Sequence, residues 1–124
     1  MIIKQDEIWE ISFDPSVGQE IQKSRPAVVL SNSFYNLASG TIFVVPLTSK
    51  KPKPENDPFF VVAEKTKKSG LAKTSFGNVS QIRSVSKLRF IKKLGMCDTA
   101  FREKSAEKWL DILEIGLSDR LSME

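Results

Sequence analysis

Any chemistry performed by this 124-residue sequence must come from carboxylates, hydroxyls, lysines and arginines, because histidine is absent and Cys97 is the only cysteine. That inventory removes Ser–His and Cys–His nucleophilic machinery, internal disulfides, CxxC redox pairs, zinc fingers and His-based metal sites. It suits phosphate chemistry best. RNA carries its own nucleophile, the 2′-hydroxyl, so an enzyme that cuts it need only position the chain, help move a proton and stabilise charge at phosphorus. Arginine does the last job without a metal, since its planar guanidinium presents a fork of donors to two phosphate oxygens and stays charged. The expectation is a protein with no cofactor and no metal.

Charge is distributed unevenly along the chain. Residues 50–73 hold seven basic and three acidic side chains, and residues 74–97 hold Arg83, Lys87, Arg89, Lys92 and Lys93 with no acid at all, whereas both ends are net acidic. Nothing local neutralises the middle, so it attracts phosphates; the bland alternative is a solvated face that keeps the protein soluble. Apolar runs such as 42–47 are far shorter than the ~20 residues of a membrane helix, and the charged N-terminus lacks a signal-peptide core. The expected location is the cytoplasm, with no membrane partner.

The elements that must position these groups are mostly strands. Residues 7–13 (EIWEISF) place Trp9, Ile11 and Phe13 on one face, which predicts a half-buried strand. Asp14 to Gly18 supply a turn, and Arg25-Pro26 forces extended backbone into a second strand. Residues 27–30 and 41–47 are too apolar to have a wet face and read as central strands, separated by a segment, 32–40, with room for one helical turn. KKPKPENDP at 50–58 reads as a loop. Residues 59–63, 76–82 and 88–91 read as short strands, with Ser69-Gly70 and Gly77 as turn or bulge signals. The period then changes: Phe101, Ser105, Trp109, Ile112, Leu113 and Gly116 recur at helical spacing behind Asp98-Thr99, either of which can cap a helix. The reading is a single domain over 1–124, mainly β (α+β), a strongly bent sheet or barrel closed by a C-terminal helix.

Four blocks in order, FDPSVGQE (13–20), RPAVVLSN (25–32), VPLTS (45–49) and QIRSV (81–85), resemble the MazF/PemK family of toxins from type II toxin–antitoxin systems. The resemblance runs over nearly the whole chain. It implies a small SH3-like barrel with a C-terminal α-helix, a homodimer, metal-independent cleavage of single-stranded RNA at short sequences, and inhibition by a cognate antitoxin protein. Arg25 matches the family's catalytic arginine, Thr48 its catalytic hydroxyl residue, and Glu20 an acidic position linked to activity in some members. Ser49, Gln81 and Arg83 fall in the same blocks as substrate-binding positions, and Lys50, Lys51 and Lys53 on the proline loop add charge for RNA. A group with a pKa above ~12 is poorly matched to general-acid work at neutral pH, so Arg25 is read as an electrostatic stabiliser.

Two departures from the family's pattern stand out. Many relatives carry an acid immediately before the Gln-Ile/Val-Arg block, where this chain has Ser80. The usual Gly-Asp ahead of the first strand is Asp6-Glu7, so glycine's backbone freedom is missing and a changed turn is expected. Trp9 and Trp109 read as packing groups, and Phe59 and Phe60 as either base-stacking groups or the start of a buried strand. The alternative function is a non-catalytic toxin of the same fold that binds a protein target such as DNA gyrase, as CcdB-like proteins do, since fold alone does not separate the two.

Overall fold

The computed structural model of the chain describes residues 1–13 and 24–122, with side chains through Glu114. Seven strands, β1 (Glu7–Ser12), β2 (Ser24–Val29), β3 (Thr41–Thr48), β4 (Phe60–Ala63), β5 (Ser75–Asn78), β6 (Arg83–Ser86) and β7 (Phe90–Met96), form one antiparallel sheet in the order β4-β5-β3-β2-β1-β7, with β6 also paired to β3. Two helices complete it, α1 (Ser33–Ala38) and α2 (Thr99–Ser122).

Strand β3 bends the sheet. One of its edges pairs with β2, whereas the other pairs with β6 along Thr41–Val44 and with β5 at Leu47 and Thr48. The sheet therefore curls, and each face acquires its own core. Ile8, Val28, Val45 and Leu47 face the helix together with Val61, Ala63 and Phe101, while Trp9, Ile11, Ala27, Val29, Val44, Val85 and Phe90 fill the inside of the curl. Alternate residues point to opposite faces of a strand, so burying both faces demands the continuous apolar runs seen in the sequence. It also corrects the reading of β1 as half-buried, because Glu7, Ile8, Trp9 and Ile11 are all buried.

Other boundaries differ for local reasons. Strand β6 (RSVS) buries only Val85 and gives no apolar run to detect. β7 extends past the expected end through Lys92 and Lys93, because an edge strand tolerates charge on its open side. The 76–82 run is a four-residue strand followed by a 3-10 turn at Val79–Gln81. The 50–58 loop contains a 3-10 helix, Pro54–Phe59, which begins on a proline whose missing N–H costs nothing there. Asp98 is the residue that caps α2, its Oδ1 accepting from the Phe101 N–H at 3.0 Å. On that helix Phe101 and Ser105 are buried and Trp109 and Ile112 half-buried, but Leu113 is 63% exposed and so is not part of the packed face.

Asp6 adopts φ +71°, the left-handed conformation that glycine would supply without strain. It is held there on both sides. Its N–H donates to the Val29 carbonyl at 2.8 Å, its carbonyl accepts from the Cys97 N–H at 2.8 Å, and its carboxylate receives Arg102 of α2 through Nε (2.9 Å) and Nη2 (3.3 Å). The conformation thus survives loss of the glycine because the carboxylate gains a forked partner on the helix.

Glu7 is a buried carboxylate with three donors, the Lys4 N–H at 2.8 Å, the Trp9 indole N–H at 2.9 Å and Lys93 Nζ at 3.0 Å. Burial pushes its pKa up, but these donors and the Lys93 charge outweigh burial and leave it below the ordinary value. A carboxylate depressed on folding stabilises the protein above its unfolded pKa, and that contribution disappears as the pH falls through the folded value. Glu7→Gln is therefore expected to lower the unfolding midpoint in urea at pH 7, with the difference from wild type shrinking as the pH is taken below about 4. An equal loss at pH 7 and pH 3 would place the effect in packing instead of charge.

Candidate active site

Strands β2 and β3 carry the two residues matched to catalysis at their neighbouring ends. Ala27, Val28 and Val29 pair with Pro46, Val45 and Val44, and Arg25 and Thr48 stand two residues beyond the Ala27–Pro46 pair on their strands, each on the face of that pair. Directly opposed residues of an antiparallel pair point to the same face. Here it is the face away from α2, where the two strands run past the end of the inner core. The Arg25 side chain is exposed and has no hydrogen-bond or ion-pair partner among the described residues, which leaves all its donors for a ligand. Thr48 Oγ1 accepts the Lys50 N–H at 3.2 Å. Because the oxygen is occupied as an acceptor from the protein side, the hydroxyl proton remains to be donated outward.

The remaining candidates spread around this pair. Ser49, Lys50, Lys51 and Lys53 are exposed on the segment that leaves β3. The far end of that segment is tied to the helix by Lys108 Nζ, which donates to the Pro58 carbonyl at 2.8 Å. Arg83 lies on β6 opposite Val44, four residues from Thr48, or roughly 13 Å at about 3.3 Å per residue. It shares the face of Thr48, and its guanidinium sits 5.4 Å from the centre of the Phe13 ring, so its position is set by a cation–π contact. Gln81 is exposed at the end of the 3-10 turn before β6. Glu20 lies outside the described residues. Ser80 donates through Oγ to Asn78 Oδ1 at 2.6 Å, so the residue that replaces an acid is engaged in capping a turn.

Of one further part of this face, sequence reasoning reached Phe60 alone and missed the rest. Thr48 pairs with Phe76, Phe76 with Val62, and Phe60 with Asn78, so these five side chains share one face of β3, β5 and β4. Val62 is 47% exposed there, with Phe60 and Phe76 half-buried beside it. The apolar, accessible strip runs directly from Thr48. Alternation in FVVA and SFGN was the available signal, but four-residue strands are too short to show which face is wet. Phe59, considered beside Phe60 as a stacking group, lines instead an open cleft whose other walls include Lys108, Asp111 and Ile112 of the helix.

Cys97 does not join the site. Burial, with Asp98 nearby, pushes its thiol up to about 11, so it stays protonated and unreactive at neutral pH. Among the described residues no group of three or more His, Cys, Asp or Glu side chains is placed to hold a metal ion, and no helix is long and apolar enough to cross a membrane.

A curled antiparallel sheet and one closing C-terminal helix define a small β-rich class of domain whose fold is shared with several solved structures. MazF from Deinococcus radiodurans superposes with a TM-score of 0.73 at 23% identity, covering 91% of this chain and 97% of that one. A mycobacterial endoribonuclease in complex with its cognate antitoxin gives 0.67 at 20% identity over 90% and 94% of the two chains. In sequence, residues 4–110 match the family described as the PemK-like, MazF-like toxin of type II toxin-antitoxin systems. The chain is 36% identical over 104 residues to endoribonuclease MazF9 of Mycobacterium tuberculosis, covering 80% of this chain and 86% of the relative. It is 29% identical over 107 residues to endoribonuclease EndoA of Bacillus subtilis, covering 86% and 90%. The chain belongs to the PemK-like, MazF-like toxin family.

Proposed function

We propose that the protein is the toxin of a type II toxin–antitoxin pair and acts as a metal-independent endoribonuclease on single-stranded RNA. The observation that supports this reading is the placement of Arg25 and Thr48 on one face at the neighbouring ends of β2 and β3, with lysines 50, 51 and 53 exposed on the adjoining segment. The relatives named as endoribonucleases and the neighbour bound to its antitoxin support it, and none of them favours the gyrase-binding alternative.

In the proposed reaction the 2′-oxygen attacks the adjacent phosphorus, the bond from phosphorus to the 5′-oxygen breaks, the 2′-hydroxyl gives up its proton and the leaving oxygen gains one. Arg25 offers its fork to the phosphate oxygens as charge builds on them. Thr48, with its oxygen held by the Lys50 N–H, donates to the same phosphate and fixes its orientation. Glu20 is the candidate acceptor of the 2′-hydroxyl proton. Ser49, Gln81 and Arg83 contact the chain on either side, and the strip of Phe60, Val62 and Phe76 offers bases a surface to stack on. A second copy of the chain and an acidic antitoxin segment complete the proposed assembly in the cytoplasm, the antitoxin attracted by the basic middle of the sequence.

Incubation of the pure protein with a long RNA in excess EDTA should give discrete cuts, and a single deoxynucleotide just upstream of a cut should abolish that cut. Cleavage that needs a divalent ion, or that survives the deoxy substitution, would overturn the mechanism. Replacing Lys50, Lys51 and Lys53 together by Ala should leave saturated turnover nearly unchanged while flattening the salt dependence of binding by up to ~0.7 log unit per lost phosphate contact. An unaltered slope would assign these lysines to solubility.

A further inference from the structure

The turn between β4 and β5, EKTKKSGLAKT (64–74), carries Lys65, Lys67, Lys68 and Lys73 against a single acid, Glu64. All four lysines are exposed, and their ammonium groups have no hydrogen-bond or ion-pair partner among the described residues. Glu64 is engaged elsewhere, its Oε2 accepting from Thr74 Oγ1 at 3.4 Å. Unpaired like charges on one turn repel each other, a strain on the fold that a bound anion relieves.

The backbone beneath the lysines is held in one conformation. Gly70 takes φ +68° and packs so closely on β7 that a Cβ there would lie 2.0 Å from the Leu94 carbonyl oxygen, and a Cβ on Gly95 of β7 would lie 2.3 Å from the Lys68 carbonyl oxygen. Thr66 and Ser69 exchange hydrogen bonds, the Ser69 N–H donating to Thr66 Oγ1 and the Thr66 N–H to Ser69 Oγ, each at 2.9 Å. Ser69 Oγ also accepts the Leu71 N–H at 3.3 Å, and the Met96 N–H of β7 donates to the Lys68 carbonyl at 2.9 Å. Ser69 and Leu71 are buried, Leu71 within the helix-side core. The lysines therefore stand on a rigid base, and a ligand has only their side chains to order.

The position of the turn follows from strand pairing. Thr48 pairs with Phe76, and β4 and β5 remain paired as far as Ala63 and Ser75, so the turn leaves the sheet at the end where Thr48 lies. The segment that bears Lys50, Lys51 and Lys53 leaves β3 at that same end. Lys73 and Ser49 line one cleft of about 310 Å³ together with Leu47 and Leu71 of the helix-side core. The turn is thus on the helix-side face, around the end of the sheet from Arg25 and Thr48.

The chemistry of the turn selects a ligand with many negative charges and no particular shape. It has no aromatic group on which a base could stack and no arginine fork to read a base edge. Ala72 is its only exposed apolar side chain, so it lacks the buried anchors that a protein partner requires. We infer that the 64–74 turn is a phosphate-binding arm: its lysines hold the sugar-phosphate chain of RNA beyond the segment that is cut, after the strand has passed the end of β3, and so add affinity for long RNA whatever its bases. The inference rests on the endoribonuclease reading and extends the RNA footprint to the other face of the sheet.

The test compares wild type with a variant combining Lys65→Gln, Lys67→Gln, Lys68→Gln and Lys73→Gln, and with the same four positions changed to Arg, folding being checked by circular dichroism. The probes are 2′-O-methyl RNAs of about 6 and about 30 nucleotides, one within and one beyond the length that a small single-strand site covers. They keep the phosphates and lack the free hydroxyl nucleophile, so binding is read apart from cleavage. At low salt the Gln variant should bind the long probe about 10-fold or more weakly and the short probe within twofold of wild type, and its salt slope on the long probe should flatten by up to ~0.7 log unit per lost phosphate contact. The Arg variant should bind the long probe as wild type does, because it keeps the charge. Unchanged affinity and slope on the long probe overturn the arm, and so does an equal loss on both probes, which would place the lysines at the cut segment. Weakened capture of an acidic antitoxin segment with RNA binding intact also overturns it, in favour of a protein-docking turn. Cleavage of an ordinary long RNA is scored separately: a wild type that cuts none removes the nuclease reading, while the lysine dependence of long-probe binding still decides the arm.

Discussion

Arg25→Ala should lower the rate of RNA cleavage by about 10²-fold or more while leaving the unfolding curve of the protein unchanged, the scale of effect seen when one preorganised charge-stabilising donor is removed. The separation of the two effects follows from the structure. Arg25 is exposed at the start of β2 and makes no hydrogen bond or ion pair with a described residue, so its truncation removes nothing from the fold. Its proposed contribution appears only when negative charge gathers on the phosphate, which lowers kcat and kcat/KM together. Arg25→Lys should recover little, because an ammonium is a point charge on a flexible stem and does not reproduce the two parallel donors of the fork. Thr48→Ala should also slow cleavage, and there the Lys50 N–H loses its acceptor as well, so a small loss of stability is expected alongside. Single-turnover rates on a defined RNA in EDTA, measured beside urea unfolding, check all three variants. Folded Arg25→Ala protein that cuts within threefold of wild type would remove Arg25 from the mechanism.

The second large effect is on stability. Phe101→Ala should destabilise the protein by about 3–5 kcal/mol, the range for emptying an aromatic site in a packed core. Phe101 is 2% exposed on the first turns of α2 and joins the helix to Val45, Leu47, Val61 and Val79 of the sheet. Its seat depends on the absence of a side chain at Gly77 of β5, where a Cβ would come within 2.9 Å of the ring's Cζ and 3.3 Å of both Leu47 Cδ2 and Val45 Cγ2. Gly77→Ala should therefore destabilise as well, and by less when Phe101 is already Leu than when the ring is present. Such coupling is what contacting residues show in a double-mutant cycle, whereas independent sites add. Urea midpoints at one fixed protein concentration test this, the concentration being held because assembly contributes to apparent stability. Strictly additive effects would mean that the ring and the glycine do not share one contact.

Much of the fold was legible because burial on both faces of a strand writes itself into the sequence. Runs such as PAVVL and IFVVPL have no polar alternation because β2 and β3 are sandwiched between the inner core and the helix-side core. The C-terminal helix was legible from its period and from Asp98 before it, and α1 from the short polar segment between two central strands. What escaped was what burial marks too slightly to leave a pattern: β6 with one buried residue, the later part of β7 with lysines on its open edge, and the exposure of Leu113 in a helix whose apolar residues outnumber its packed positions.

The sequence by itself determined which chemistries were open, since the absence of histidine and a single cysteine left only arginine, hydroxyls and carboxylates to act on a phosphate, and it determined the strand-rich class and the blocks that mark the family. It did not determine proximity. Arg25 and Thr48 are 23 positions apart, and nothing in either block states that they share a face at neighbouring strand ends. That was decided by the β2–β3 register, because a shift of one residue in an antiparallel pair turns a side chain to the opposite face. The same is true of the strip formed by Phe60, Val62 and Phe76, which exists only because β4 and β5 continue the sheet past Thr48. Asp6 is the plainest case: the sequence showed a glycine missing, and only the fold brings Arg102 from 96 residues away to hold an aspartate in the conformation the turn requires.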